Sequence, residues 1–216
     1  RERNTVRGPF YTESMSANAP ADPIARQLSA AYSPIRLESG LFLRRARTTD
    51  AAKINALTLP LVDERVLVAK DMVSYFEALQ QFRVIVDIAE DGTETLAGCA
   101  ALHVFWDEIA EVRTVATSPD YRRRGVGRTL ITTLLEEARI MGIKKVFCLT
   151  FETEFFTSLG FEQISGIPVS PTVFQELLHS TDEGTAEFLD LARVKPNTLG
   201  NKRMIIDLTE TAPAEA

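Results

Sequence analysis

Apolar residues change their spacing repeatedly between residues 40 and 208, and these changes predict alternating strands and helices. Continuous or alternating apolar runs predict strands at 41–46, 82–89, 95–105, 109–117, 145–150 and 204–208. A further edge strand is expected to begin at Phe161. Apolar spacings of three and four residues predict helices at 51–59, from 71 onward, and at 128–141, 152–159 and 170–179. Hairpins stand beside one helix-crossed connection, so we expect an α/β domain with a mixed, mainly antiparallel central sheet and helices on both faces.

Proline, aspartate and glycine set the expected helix boundaries. Pro60 predicts the end of the first helix, because a proline lacks the N–H that continues the hydrogen-bond ladder. Asp71 is an N-cap candidate for the next helix, whose apolar face we expect to include Val73 and Phe76. Gly142 is the expected C-terminal stop of the helix at 128–141.

The two ends of the chain lack such patterns. Residues 1–39 mix prolines with small polar residues and predict a disordered leader, within which 25–32 could form a short helix. Residues 209–216 are small and acidic and predict a disordered tail. We therefore expect one folded domain at 40–208.

Composition excludes several classes of function. The net charge of −6 and the pI of about 5.1 give no overall positive field, which argues against nucleic acid as a partner. No apolar run approaches the roughly 20 residues of a membrane span, so we expect no membrane partner. Cys99 and Cys148 lie in apolar runs, which favours buried reduced thiols and a cytoplasmic location. His103 and His179 stand far apart with no ligand at metal spacing, so we expect no metal.

One short segment carries candidate chemistry, and it reads Arg122-Arg123-Arg124-Gly125-Val126-Gly127. It follows a predicted strand and precedes a helix, so free amides at the helix N-terminus would face whatever fills the turn. Glycines allow close approach of the backbone, and arginines supply forked donors for phosphate oxygens. The alternative is a basic turn that only caps a helix. The spacing fits neither the dinucleotide fingerprint nor the Walker loop.

With its flanks, this segment resembles the pyrophosphate loop of the GNAT N-acetyltransferases, Gln/Arg-x-x-Gly-x-Gly/Ala. The upstream Ser-Pro-Asp-Tyr-Arg at 118–122 and the downstream Leu-Gly-Phe at 159–161 agree, and the likeness covers about 41–208. It implies the GNAT fold, acetyl-CoA as co-substrate and a pantetheine arm between strands 109–117 and 145–150, which splay apart. The residues that it implies for cofactor binding are Val115, Ala116, Thr117, Arg122, Arg123, Arg124, Gly125, Val126, Gly127, Arg128 and Thr129.

A narrower likeness concerns the acceptor. The order and spacing of 67–71, 100–102, Glu111, 146–150 and 202–208 are similar to the transferase domain of bacterial N-acetylglutamate synthases. The likeness implies acetyl transfer to L-glutamate or L-glutamine, the first step of arginine biosynthesis, by a stand-alone short form of the kind found in actinobacteria. A homodimer is the commonest assembly for soluble proteins and stays open for this chain.

Glu111 is the candidate general base, because it lies inside an apolar strand just before the loop and falls on the family's catalytic glutamate position. The alternative is an ion pair with Arg113 on the same strand face, and the two roles can coexist. By the resemblance, the Val115 N–H would donate to the thioester carbonyl. The family's usual tyrosine acid is replaced by Phe156, so no general acid is assigned.

Lys70 and Arg203 are the candidates for holding the carboxylates of the acceptor, since a dicarboxylate calls for cations outside the cofactor loop. The alternative for Lys70 is a solvated lysine at a helix start. Two other functions also stay open at this level. One is acetyl transfer to another small amine or to a protein N-terminus, and the other is a non-catalytic acyl-CoA-binding module.

Overall fold

The computed structural model describes residues 22–182, 185–186, 189 and 200–209. Most of the predicted leader, 1–21, and nearly all of the predicted tail, 210–216, lie outside the described residues. Residues 22–33 belong to one compact unit and the domain from Pro34 onward to another. In the first unit, helix α1 (Pro23–Ala31) begins where the Asp22 side chain accepts the Ile24 N–H and proline occupies the first helical turn.

In the described part of the domain, eight strands form one sheet in the order β1-β2-β3-β4-β5-β6-β8-β7. Their bounds are β1 Ile35–Arg36, β2 Phe42–Arg45, β3 Phe82–Ile88, β4 Glu94–Trp106, β5 Ile109–Thr117, β6 Lys145–Thr150, β7 Glu162–Ile164 and β8 Lys202–Asp207. Only the β5–β6 pair is parallel. The expected mixed, mainly antiparallel sheet is therefore confirmed.

Helices cover both faces of the sheet, as expected. In the described part of the domain, the helices with both ends defined are α2 Ala51–Asp63, α3 Met72–Glu77, α4 Val126–Ile140, α5 Thr153–Thr157 and α6 Pro171–Leu177. Leu130, Ile131 and Leu134 of α4 pack into the largest core, on one face. Ala51 and Ile54 of α2 pack with Cys99 and Ala116 in a core on the other face. A third core joins Phe105, Ile109 and Phe147 to α6 through Leu177.

Gly98 of β4 allows α4 to approach the sheet closely. A Cβ at this position would lie 2.5 Å from Val126 Cγ1 and 2.9 Å from the Ala116 carbonyl oxygen, distances at which something must shift. The first turn of α4 therefore packs directly on β4 and β5, and this contact fixes the position of the loop that precedes it.

Two local predictions were wrong. Helix α2 runs through Pro60 to Asp63, because a single missing N–H is tolerated while Leu61 packs against the core. In α3 the buried residue is Tyr75, whose hydroxyl bonds Thr58, whereas Val73 and Phe76 are 59% and 52% exposed. The helix is only 6 residues long, so its packing against α2 decides which side is buried.

Two element boundaries also differ from expectation. Strand β1 lies within the segment expected to be a leader, and it pairs with β2 through Ile35 and Arg36. Helix α4 begins at Val126 rather than at Arg128, so Val126 and Gly127 belong to its first turn. Both differences come from contacts made by the folded sheet, which a short segment of sequence does not reveal.

Candidate active site and cofactor cleft

A cleft opens where β5 and β6 separate. Their parallel pairing covers only Ile109–Glu111 against Lys145–Phe147, and beyond these residues the two strands diverge. The space between them is a cavity of about 580 Å³, which reaches from Val66 and Leu67 to the N-terminus of α4. The splay expected between these strands is thus present, and it leaves room for an elongated ligand between them.

A bulge in β5 causes this divergence. Ala101 of β4 faces Arg113, and Cys99 of β4 faces Ala116. Between these two pairs β5 has two residues where β4 has only one. Thr114 lies in the bulge with a φ of 55°, a left-handed conformation that is costly for a β-branched residue. An extra residue bends its strand and breaks the ladder, which turns Thr114 and Val115 toward the cavity.

The predicted loop forms a sharp turn at the entrance to α4. Arg123 and Gly125 have φ values of 61° and 75°, and Gly125 is the N-cap residue. The first intrahelical bond runs from the Thr129 N–H to the Gly125 carbonyl, so the amides of 126–128 come before the ladder begins. These amides and the helix dipole make this end of the cavity suited to an anion such as a pyrophosphate.

The arginines of the loop take different positions. Arg124 stacks on the Tyr121 ring at 5.2 Å, and the Tyr121 hydroxyl donates to Asp87. Arg128 reaches across to α5, where its Nη2 lies 3.0 Å from Ser158 Oγ. Arg122 and Arg123 line the cavity and are exposed, which leaves their guanidinium groups accessible to a ligand.

Most of the predicted cofactor residues therefore come together. The cavity is lined by Val115, Thr117, Arg122, Arg123, Gly125, Val126, Gly127 and Arg128. Ala116 is instead buried in the core on the α2 side, Arg124 stacks on Tyr121, and the Thr129 amide is used within α4. The residues that line the cavity fit an acyl-CoA, with donors at one end and an apolar channel beside them.

A group of buried charges lies beside the bulge. Glu111 is only 4% exposed. Arg113 Nη1 lies 3.7 Å from Glu111 Oε2 and 2.9 Å from both carboxylate oxygens of Asp182. Arg113 Nη2 donates to Gln81 Oε1 at 3.2 Å. The ion pair considered as an alternative for Glu111 is therefore present, although Asp182 holds Arg113 more tightly.

Lys70 belongs to this same group. It lies in the segment between α2 and α3, and its ammonium donates to Thr114 Oγ1 at 3.1 Å. Burial and the charge of Arg113 lower the pKa of Lys70, while the carboxylates of Glu111 and Asp182 act in the opposite direction. Lys70 is thus a partly buried cation that contacts Thr114 of the cavity wall, and it differs from a solvated lysine at a helix start.

His103 faces Glu111 across the β4–β5 pair. Burial and the charge of Arg113 lower its pKa to about 4, so its imidazole is neutral near pH 7. Burial raises the pKa of Cys99 to about 12 and that of Cys148 well above its ordinary value, so both thiols stay protonated. These groups therefore add no charge to the site at neutral pH.

Arg203 lies on the Glu111 side of the sheet. In the register of β6 and β8, Arg203 faces Leu149, and Ile205 faces Phe147. Phe147 in turn faces Glu111, and side chains two residues apart share a face. Phe156 is 4% exposed and packs between Phe155 and Phe161, so the position of the family's tyrosine acid is filled by an apolar ring.

The sequence did not single out Asp182, Gln81 or His103 as site residues. Asp182 is 69 residues from Arg113, and no local pattern links the two. His103 could have been found, because it faces Glu111 if the hairpin between β4 and β5 is placed in register. Among the described residues, no group of three or more His, Cys, Asp or Glu side chains could hold a metal ion. No helix in the same part of the chain is long and apolar enough to cross a membrane.

Comparison with known proteins agrees with this architecture. Residues 56–161 match the acetyltransferase (GNAT) family. The chain is 45% identical over 166 residues to an amino-acid acetyltransferase of Mycobacterium tuberculosis, an alignment that spans 77% of this chain and 94% of the relative. The chain therefore belongs to the acetyltransferase (GNAT) family, and acetyl-CoA, expected from the loop, is its co-substrate.

Two solved structures are similar to the structure of this chain. One is a M. tuberculosis protein in complex with CoA and NLQ, with 44% identity, a TM-score of 0.70, and coverage of 77% of this chain and 98% of that one. The other is N-acetylglutamate synthase from Neisseria gonorrhoeae in complex with coenzyme A and N-acetyl-glutamate, with 24% identity and a TM-score of 0.59. That match covers 78% of this chain and 35% of the synthase, so this chain spans about a third of its length and shares the fold of that part.

Proposed function

We propose that this protein transfers the acetyl group of acetyl-CoA to the α-amino group of L-glutamate or L-glutamine, the first step of arginine biosynthesis. The observation that carries the proposal is that a buried carboxylate, Glu111, and a partly buried ammonium, Lys70, interact electrostatically next to Arg113 and Thr114, which line the cavity. An amino acid offers an amine to the first and a carboxylate to the second. The similarity to a relative named amino-acid acetyltransferase supports an amino acid as acceptor.

Glu111 is the general base in this proposal. The α-amino group of an amino acid is mostly protonated near pH 7 and must lose a proton before it attacks. Glu111 accepts that proton, directly or through a water molecule, and the neutral nitrogen forms its bond to the thioester carbonyl carbon. The carbon–sulfur bond then breaks and the sulfur leaves as a thiolate, while the attacking nitrogen loses its second proton to water and becomes the amide nitrogen of the product. Phe156 offers no proton at the family's usual position, so this scheme assigns the thiolate no acid from the chain.

The main chain and the cations supply orientation. The Val115 N–H, at the bulge, donates to the carbonyl oxygen as negative charge develops there. The amides at the start of α4, with Arg122 and Arg123, bind the pyrophosphate of the co-substrate. Lys70 and Arg203 hold the acceptor carboxylates. The two buried reduced thiols support a cytoplasmic location.

The test is thiol release from acetyl-CoA with each amino acid in turn, on the full chain. We expect turnover with L-glutamate, L-glutamine or both, and the ratio of their kcat/KM values assigns the acceptor. If neither is acetylated while another amine or a peptide N-terminus is, the acceptor is wrong and the transferase class stands. Binding of acetyl-CoA without turnover on any amine would instead indicate a non-catalytic module.

A further inference from the structure

Arg113 stands between two carboxylates, and the two contacts are unequal. Its Nη1 lies 2.9 Å from both oxygens of Asp182 but 3.7 Å from Glu111 Oε2. The first distance is that of a charge-assisted hydrogen bond, and the second is too long for one. A single guanidinium nitrogen is thus shared between two acids, and Asp182 has the stronger hold on it.

Asp182 is itself fixed by the segment that carries it. Its Oδ1 accepts the Thr185 N–H at 2.8 Å and lies 3.3 Å from Thr185 Oγ1, and its carbonyl accepts the Ala186 N–H. Thr185 and Ala186 are buried, and Leu189 packs into the core that contains Phe147. This turn after α6 therefore holds the Asp182 carboxylate in front of Arg113.

The unequal contacts matter for a general base. A carboxylate that takes a full hydrogen bond from a guanidinium is stabilised as an anion and becomes a weaker proton acceptor. A carboxylate that is buried near a cation already bound elsewhere keeps more of its basicity. Glu111 is in the second situation, because Asp182 occupies the near side of Arg113.

We propose that Asp182 is a positioning residue that competes with Glu111 for Arg113 and so keeps Glu111 basic enough to accept the proton of the acceptor amine. The inference rests on the proposed role of Glu111 as the base. It assigns a function to a residue that comes from a segment outside the cofactor cleft, about 70 positions further along the chain.

The other groups that face Glu111 do not compete in the same way. The pKa of His103 is about 4, and the ion pair with Arg113 outweighs burial and keeps the pKa of Asp182 below its ordinary value, so neither changes charge near pH 7. Burial also lowers the pKa of Lys70, so the pH profile has to be read together with a direct titration of the Glu111 carboxyl. The titratable and charged groups on the Glu111 side come from the 67–71 segment, β4, β5, β6, β8 and the turn after α6, and they are Lys70, Cys99, His103, Arg113, Cys148, Asp182 and Arg203.

The test uses two substitutions with opposite expected effects on the pH profile of acetyl transfer. Asp182→Asn retains a side chain that can cap the Thr185 turn but releases Arg113 toward Glu111. We expect the acid limb of kcat/KM to move down by about one pH unit and the maximal rate to fall severalfold. Arg113→Gln removes the cation from Glu111, so we expect the acid limb to move up. A general loss of folding would not move the acid limbs of these two variants in opposite directions.

Glu137→Gln is the matched control. Glu137 is 27% exposed, close to the 29% of Asp182, and it forms an ion pair of 2.6 Å with Arg83, away from the cleft. This substitution removes a similar ion pair, and we expect it to leave the acid limb in place. Carboxyl carbon NMR titration, with the Glu111 signal assigned through Glu111→Gln, reads the same shift without any turnover.

The outcomes separate the two proposals. If the Glu111 signal and the acid limb stay fixed in Asp182→Asn, or if only the KM for the acceptor changes, the competition is refuted. If the wild type acetylates neither glutamate nor glutamine, the proposed function fails, but the NMR titration still decides the competition. If Glu111→Gln keeps full activity, the base assignment fails and this inference fails with it.

Discussion

The cofactor cleft and the proposed acceptor site lie on either side of the bulge in β5, yet they are built in different ways. The loop end of the cleft comes from one continuous stretch, 122–128, and it presents main-chain amides at the start of α4. The acceptor site draws single side chains from separate segments, namely Lys70, Glu111, Arg113 and Asp182. One region depends on backbone shape, whereas the other depends on individual buried charges.

This difference predicts how each region responds to substitution. Main-chain donors survive most side-chain changes, so the cleft is sensitive mainly where a glycine permits the turn. A charged side chain that binds the acceptor or its proton has no substitute once it is removed, because the contact that it made is lost. The following predictions test this contrast, from the largest expected effect to the smallest.

Glu111→Gln is expected to have the largest effect. The substitution keeps the shape of the side chain but removes its ability to accept a proton, so kcat should fall by on the order of 10²- to 10⁴-fold. Binding of acetyl-CoA, measured by calorimetry, should stay near the wild-type value. Glu136→Gln, at an exposed position on α4, is the control and should retain full activity. An equal loss in both variants would contradict the assignment.

Lys70→Met should weaken acceptor binding while leaving the co-substrate unaffected. Loss of a hydrogen bond from a charged group costs about 1.5–3 kcal/mol, so the KM of the acceptor should rise by roughly 10- to 100-fold. Burial lowers the pKa of Lys70, which means that its charged form destabilises the fold at neutral pH. Lys70→Met should therefore melt no lower than the wild type. The exposed Lys145→Met serves as the control, and a fall in melting temperature for Lys70→Met alone would oppose this reading.

Gly125→Ala tests the backbone of the cleft. Gly125 has a φ of 75° with open space around its Cα, so alanine would add conformational strain without a clash. That strain is about 1–2 kcal/mol, and if the loop relaxes to relieve it, the affinity for acetyl-CoA should fall by roughly 5- to 30-fold. Gly92→Ala, in the β3–β4 turn at a φ of 82°, carries the same strain away from the cleft. Equal affinities for acetyl-CoA in the two variants would show that the turn at Gly125 is not needed for binding.

The smallest expected effect concerns stability at acid pH. Burial raises the pKa of Asp182, but the charge of Arg113 and the Thr185 bond outweigh it, so the net shift is downward from the ordinary value of 3.8. A carboxylate with a lowered pKa contributes stability above its ordinary pKa and loses that contribution as the pH falls through its value in the folded protein. The difference in melting temperature between the wild type and Asp182→Asn should thus be largest near neutral pH. It should shrink as the pH falls below about 4. A gap that persists in acid would point to lost packing instead.

The sequence predicted the strands better than the helices. The bounds of β5 and β6 agree with the apolar runs at 109–117 and 145–150, because both strands are buried on each face and read as continuous apolar segments. Helix α3 was assigned the wrong face, since six residues give too few turns for a period and a single contact between Tyr75 and Thr58 decides its orientation. Strand β1 is two residues long and exists only because β2 is present to pair with it.

The sequence by itself determined the local features of this protein: the order of strands, the Arg-x-x-Gly-x-Gly turn before α4, and Glu111 in an apolar strand. These features depend on neighbouring residues, so a short stretch of chain specifies them. Only the tertiary structure decided that Lys70 reaches the bulge at Thr114 and that Arg113 lies closer to Asp182 than to Glu111. Such contacts join residues 44 and 69 positions apart, and they form only when the sheet and the turn after α6 have packed together.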